Sequence, residues 1–108
     1  MKSISIIIPV YNEVESIREL HGELTHVLSR YDHYELVFVD DGSSDGSIDL
    51  LNELSNTDGH TKVIQFYRNY GKAAALAEGF KYSSGDYVVT MDADLQDDPA
   101  EIPNLVSK

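Results

Sequence analysis

Apolar and polar positions fall in blocks along this chain, and the repeat changes from block to block. Ile4 to Val10 is a β-branched run containing Pro9, and it reads as a buried strand. Val14, Ile17, Leu20, Leu24, Val27, Leu28 and Tyr31 then recur at helical spacing. Leu36 to Val39 is a second strand. Ser43, Ser44 and Asp45 are N-cap candidates for a helix whose apolar face carries Ile48, Leu51 and Leu54. Lys62 to Phe66 is a third strand, and Ala73, Leu76, Ala77 and Phe80 mark a third helix, with Gly85 as its C-terminal stop. Tyr87 to Met91 reads as a fourth buried strand. Asp98-Pro99-Ala100-Glu101 supplies a cap, a proline at the first helical position and an acid three residues after the cap. Pro103 is expected to bend that short helix.

Strands alternating with helices imply a parallel sheet with helices on both faces, an α/β fold of Rossmann-like type. Right-handed crossovers then put ligands at the carboxyl ends of the strands. The polar clusters fall there: Tyr11-Asn12-Glu13, Asp40-Asp41-Gly42, Arg68 to Lys72, and Asp92 to Gln96. Asp92-Ala93-Asp94 places two carboxylates one residue apart at a strand end, and Asp40-Asp41 ends another strand. Hard oxygens at such a rim suit Mg²⁺ or Mn²⁺ beside a substrate phosphate.

Charge sharpens this picture. Nineteen acidic and eight basic side chains give a net charge of −11 over 108 residues, a length that fits one domain. Such a chain is not expected to bind nucleic acid or anionic membranes, and a phosphate ligand would need a cation between it and the protein. The chain has no cysteine, which rules out disulfides, thiolate zinc and thiol catalysis and fits a reducing compartment. The longest apolar run, Ile6 to Val10, is too short to span a bilayer, and Lys2 alone precedes it, so no signal peptide is expected. Together these point to the cytoplasm.

There is no G-x-x-x-x-G-K-[ST] and no G-x-G-x-x-G after the first strand, which disfavours P-loop and NAD-type Rossmann enzymes. Three other segments, in order, carry a resemblance: Ile8-Pro9-Val10-Tyr11-Asn12-Glu13, Val39-Asp40-Asp41-Gly42-Ser43-Ser44-Asp45-Gly46-Ser47, and Asp92-Ala93-Asp94-Leu95-Gln96. They resemble family 2 glycosyltransferases of GT-A fold. Arg68-Asn69-Tyr70-Gly71-Lys72, with the alanine-rich helix after it, is similar to the polyprenyl-phosphate branch, the dolichyl-phosphate mannose synthases and undecaprenyl-phosphate sugar transferases. Members of that family continue well past this length into acceptor-binding and often membrane segments. The resemblance therefore implies a nucleotide-sugar-binding domain over residues 1–108, the N-terminal part of a GT-A fold with strand order 3-2-1-4. In a full-length protein it would sit at the cytoplasmic membrane face.

The resemblance also implies roles. Asp94 ligates the metal that bridges the donor diphosphate, Gln96 adds an oxygen, and Asp92 reaches the metal or the ribose. The metal neutralises charge on the leaving nucleoside diphosphate. Asp41 accepts a hydrogen bond from a base N–H of a UDP- or GDP-type donor, while Asp40 holds the neighbouring loop. Pro9, Tyr11 and Glu13 line the other side of the base, Tyr11 by stacking. Arg68 and Lys72 contact diphosphate or acceptor phosphate, with Lys72 opening a helix whose N–H groups favour anions. The structural alternatives are ordinary: caps for Asp92 to Asp98, a solvated turn for Asp41, a lid on the core for Tyr11 and surface solvation for the two cations. Asp97 and Asp98 are expected to cap the following helix, and His21 and His26 to lie on the outer face of the first helix.

Transfer with inversion to an alcohol needs a general base, whereas a lipid-phosphate acceptor is already anionic near neutral pH. No residue here is assigned as that base. The rival readings are a nucleotide-binding module without turnover and an aspartyl-phosphate enzyme with Asp92 as nucleophile, although the latter class carries its D-x-D on the first strand. Response-regulator receivers also gather acids at a rim, but the acidic pair here follows the second strand. In the 3-2-1-4 order the fourth strand is an apolar edge, and pairing of two such edges predicts a homodimer.

Overall fold

The computed structural model describes residues 3–106. Four parallel strands, β1 (Ile4–Val10), β2 (Tyr34–Asp41), β3 (Thr61–Phe66) and β4 (Tyr87–Thr90), form one sheet in the order β3-β2-β1-β4. Helices α1 (Val14–Leu28), α2 (Ser47–Thr57) and α3 (Lys72–Tyr82) make the crossovers, and a 3₁₀ turn (Pro99–Glu101) leads into α4 (Ile102–Val106). The expected order is the one observed.

The two central strands are buried on both faces, which is why β1 and β2 read as continuous apolar runs. One face carries the main core. There Ile4, Ile6, Ile8, Leu36 and Phe38 meet Ile17, Leu20, Leu24 and Leu28 of α1, Leu51 and Leu54 of α2, and Ile102 of α4. On the other face α3 lies over β1 and β2, where Ala75 packs with Val37 and Val39. The alanine-rich stretch of α3 allows close approach. A Cβ at Gly79 would overlap the side chain of Ile7.

The edge strands behave differently. β4, expected as a buried strand and as the edge of the 3-2-1-4 order, pairs with β1 alone among the described residues; it alternates between half-buried and exposed, and Val88 is exposed. β2 runs on through both aspartates, because Asp40 and Asp41 still pair with Gln65 and Phe66 of β3.

Several expected end signals act otherwise. Gly85 does not stop α3, which ends at Tyr82 with Ser83 extended. Gly85 instead lies against β1, where a Cβ would sit 2.6 Å from the Ser5 amide nitrogen. The residue before α2 is Gly46 at φ +93°, and Asp45 accepts from the Ser47 amide at 3.0 Å. Asp98 caps the turn at Pro99 by accepting from Ala100, but Asp97 accepts from the Asp92 amide and caps nothing downstream. His21 is not a surface residue. Its Nε2 lies 2.9 Å from Asp58 and 3.1 Å from Thr61, tying α1 to the turn before β3. His26 is exposed, as expected.

Ser5 interrupts the apolar run of β1 for a reason visible only in three dimensions. Its buried hydroxyl donates to Glu35 at the start of β2 and accepts from the Gly85 amide. The Ser84 amide donates to the same carboxylate at 2.7 Å, and Lys62 of β3 pairs with its other oxygen. Burial alone would raise the Glu35 pKa, but Lys62, the Ser5 hydroxyl and the Ser84 amide outweigh it and lower it from 4.5 to about 2. The folded state thus binds this proton more weakly than the unfolded chain. The stabilisation is complete above pH 4.5 and lost as the pH falls towards 2. Glu35→Gln is expected to lower the thermal midpoint at neutral pH, with the deficit shrinking between pH 4.5 and about 2. A deficit independent of pH in thermal melts would contradict this account.

Candidate functional site

The carboxyl ends of the strands open onto one cavity of about 450 Å³. Pro9 and Val10 end β1 there, and Tyr11 and Glu13 follow. Asp41 ends β2, Asn69, Gly71 and Lys72 come from the β3–α3 junction, and Asp92, Ala93 and Asp94 follow β4. The right-handed crossovers bring these four sequence clusters to one rim. Of the expected site residues, Pro9, Tyr11, Glu13, Asp41, Lys72, Asp92 and Asp94 line the cavity.

Arg68 and Gln96 do not. Arg68 is exposed and lies over the Tyr70 ring, 4.9 Å from its centroid, so stacking turns the guanidinium aside. Gln96 is exposed and contributes its backbone N–H to Asp94 Oδ1 at 3.2 Å rather than a side-chain oxygen to the cavity.

The two adjacent acids of β2 both hold loops, a part expected of Asp40 alone. Asp41 holds the neighbouring loop, accepting from the Tyr70 amide at 2.7 Å and the Gly71 amide at 3.0 Å. Asp40, fully buried, accepts from Ser43 in its own loop at 3.2 Å. A carboxylate has about four lone-pair positions, so Asp41 keeps acceptor capacity towards the cavity.

Contacts between the loops, which the sequence did not indicate, set the rim. Asn12, at φ +54°, donates its amide to Ser43 Oγ and accepts from the Ser44 amide, both at 2.8 Å. The first amides of α1 are capped from the other loop: Glu13 N–H donates to Ser47 Oγ and Val14 N–H to Asp45 Oδ2. Against the cost of its burial, the Ser47 hydroxyl and the Val14 and Ser47 amides hold the Asp45 carboxyl below its usual range. Ser16 of α1 donates its hydroxyl to the Ala93 carbonyl and so anchors the loop between the two acids. Asn, Ser and Asp at loop starts are a general turn signal. Nothing in it pairs residues about 30 positions apart.

The electrostatics centre on Lys72. Its ammonium lies 2.6 Å from Asp92 Oδ1. The hydrogen bond to Asp92 and the Asp92 charge raise its pKa, and Asp94 and Asp97 add to this against slight desolvation. The donor set fits a hard divalent ion. Asp92 and Asp94 offer carboxylate oxygens, and a positive charge, the Lys72 ammonium, already pairs with Asp92 at this place. No group of three or more His, Cys, Asp or Glu side chains is arranged to hold a metal among the described residues. A cation at this rim would therefore take its remaining oxygens from a ligand or water.

Comparison with known proteins gives a consistent picture. A family model described as Glycosyl transferase family 2 matches residues 5–108. The chain is 46% identical over 110 residues to undecaprenyl-phosphate 4-deoxy-4-formamido-L-arabinose transferases of Salmonella choleraesuis (strain SC-B67) and Salmonella paratyphi B, covering 100% of this chain and 34% of each relative. It thus spans about a third of the length of these curated relatives. A mannosyltransferase from Pyrobaculum calidifontis, solved with GDP-Man and Mn²⁺, superposes with a TM-score of 0.72 at 28% identity, over 84% of this chain and 27% of that one. TarS 1-349 from S. aureus, solved with UDP, gives 0.73 at 27% identity, over 99% and 31%.

Proposed function

The chain belongs to glycosyl transferase family 2, and on that premise we propose that residues 1–108 are the donor-binding part of a metal-dependent, inverting glycosyltransferase. The donor is a nucleoside-diphosphate sugar of UDP or GDP type, and the acceptor is a polyprenyl phosphate. One observation carries this: an aromatic and a backbone-anchored carboxylate, Tyr11 and Asp41, share a single cavity with a D-x-D pair and a lysine. A base fits between Pro9, Tyr11 and Asp41, with Glu13 towards base or ribose. The diphosphate fits towards Lys72, Asp92 and Asp94.

Mg²⁺ or Mn²⁺, when bound, supplies charge neutralisation of the leaving diphosphate. Asp94 and Asp92 would hold it. Gln96 serves as a backbone support for Asp94 rather than as a ligand, and Arg68 reaches phosphate only by leaving Tyr70. The metal assignment is supported by the Mn²⁺ in the Pyrobaculum neighbour's complex, and the acceptor by the undecaprenyl phosphate in the Salmonella relatives' name. An acceptor phosphate is already a nucleophilic anion, so no general base is assigned to this chain. No helix among the described residues is long and apolar enough to cross a membrane. The cytoplasmic membrane face is proposed from the acceptor alone. By itself the 108-residue chain is expected to bind donor with little or no transfer. A homodimer through the β4 edge gains no support here. That expectation rested on nothing further covering the edge, and the chain is a third as long as its relatives.

Calorimetric titration with UDP, GDP, CDP and UDP-sugars, in Mn²⁺ and in EDTA, tests the reading. Binding of at least one nucleotide that weakens markedly in EDTA is the expected result. Equal affinity in both buffers would remove the metal from the site, and no binding of any nucleotide would remove the donor.

A further inference from the structure

We propose that Lys72 is an exchangeable internal cation: without a divalent ion it neutralises Asp92, and when ion and nucleoside diphosphate bind together it yields Asp92 to the ion and moves to the diphosphate. This rests on the donor and metal reading above.

The geometry makes Lys72 suited to both positions. It is the first residue of α3, directly after Gly71 at φ +100°, at the end of a helix where backbone N–H groups face the rim. Its ammonium holds Asp92 Oδ1 at 2.6 Å, yet the two side chains are 61% and 43% exposed. An ion pair so open to water is weak and readily exchanged. A compact ammonium on a four-carbon stem can swing between two anions without moving the backbone. Other basic side chains are engaged elsewhere: Arg68 on Tyr70, Lys62 on Glu35, Arg18 on Glu53. Among the described residues, Lys72 is the one cation lining the cavity.

Charge then dictates coupling. A diphosphate arriving alone meets Asp94 and an already committed lysine. A divalent ion arriving alone competes with that lysine for Asp92. When the two arrive together, the ion takes the carboxylates and the lysine gains a second anion. Each ligand thus improves the site for the other, and the coupling is reciprocal.

Lys72→Gln separates the two roles by sign. Mn²⁺ alone, followed by the electron paramagnetic resonance signal of the free ion, is expected to bind the variant about two- to fivefold more tightly than the unaltered chain. UDP or GDP, titrated by calorimetry with saturating Mn²⁺, is expected to bind it at least about fivefold more weakly. Lys81→Gln, the same charge change at the far end of α3, should alter neither affinity. Circular dichroism establishes that both variants are folded. Unchanged or weaker Mn²⁺ binding to Lys72→Gln overturns the exchange while leaving the donor reading intact, as does an equal gain in Lys81→Gln. If neither chain binds Mn²⁺ and nucleotide affinity ignores the ion, the metal assignment falls and the exchange with it.

Discussion

Asp94→Ala is expected to weaken Mn²⁺-dependent UDP or GDP binding by about 2–5 kcal/mol, the range for removing one partner of a charge pair that is buried once ion and donor are bound. The side chain is exposed and, among the described residues, accepts its one hydrogen bond from the Gln96 amide, so the fold hardly depends on it. The thermal midpoint without ligand should stay within a few degrees of the unaltered chain. Tyr11→Ala provides the contrast. Stacking of a base on an aromatic ring is worth about 1–3 kcal/mol and owes nothing to the ion. Its loss should weaken binding by the same factor with or without Mn²⁺, whereas the Asp94→Ala deficit should vanish in EDTA. Calorimetry of the two variants in both buffers checks the pattern. A Mn²⁺-dependent affinity within twofold of the unaltered chain would show that Asp94 holds no cation.

Gly42→Ala is expected to be the most damaging single methyl on the rim. Gly42 follows β2 at φ +75°, where a side chain is strained, by about 1–2 kcal/mol. The added carbon would also overlap the backbone of the next loop, standing 2.5 Å from the Asn69 nitrogen and 2.8 Å from the Arg68 Cα. Backbone atoms have no rotamer to escape into, and overpacking of this kind adds about 1–3 kcal/mol. For a domain of this size the sum lowers the midpoint by roughly 10–20 °C. Gly46→Ala isolates the first contribution, since Gly46 also has positive φ, at +93°, but nothing lies within 4 Å of its missing Cβ. Thermal melts should show a loss about two- to threefold larger for Gly42→Ala than for Gly46→Ala. Nucleotide affinity should fall with Gly42→Ala, because parting the loops strains the bonds from Tyr70 and Gly71 to Asp41. Equal losses in the two variants would mean that the loops yield freely and that the close approach at Gly42 is unimportant.

The fold was legible because its signals are local. Period-2 and period-3.6 runs mark strands and helices within a window of a few residues, and the handedness of crossovers carries each strand's end to the same rim. Pro9, Tyr11, Glu13, Asp41, Lys72, Asp92 and Asp94 therefore reach the cavity from their positions in the sequence alone. The family resemblance was legible too, because Ile8 to Glu13, Val39 to Ser47, Arg68 to Lys72 and Asp92 to Gln96 follow one another in register.

What the sequence by itself determined was the element order, the rim and the chemical type of the site: hard oxygens, a flat ring and two candidate cations on an acidic protein. The tertiary structure decided the partners. Arg68 turned onto Tyr70, Asp41 rather than Asp40 took the neighbouring loop, His21 was drawn in to Asp58, and Gly85 was needed against Ser5 rather than at a helix end. The edge position of β4 was already implied by the 3-2-1-4 order, and the structure shows its consequence, Val88 left in solvent despite the apolar run. The physical reason is range. Backbone periodicity is set by neighbours a few residues away, whereas Asn12 with Ser43, Ser16 with Ala93 and Lys72 with Asp92 meet only after the sheet has closed the distance between them.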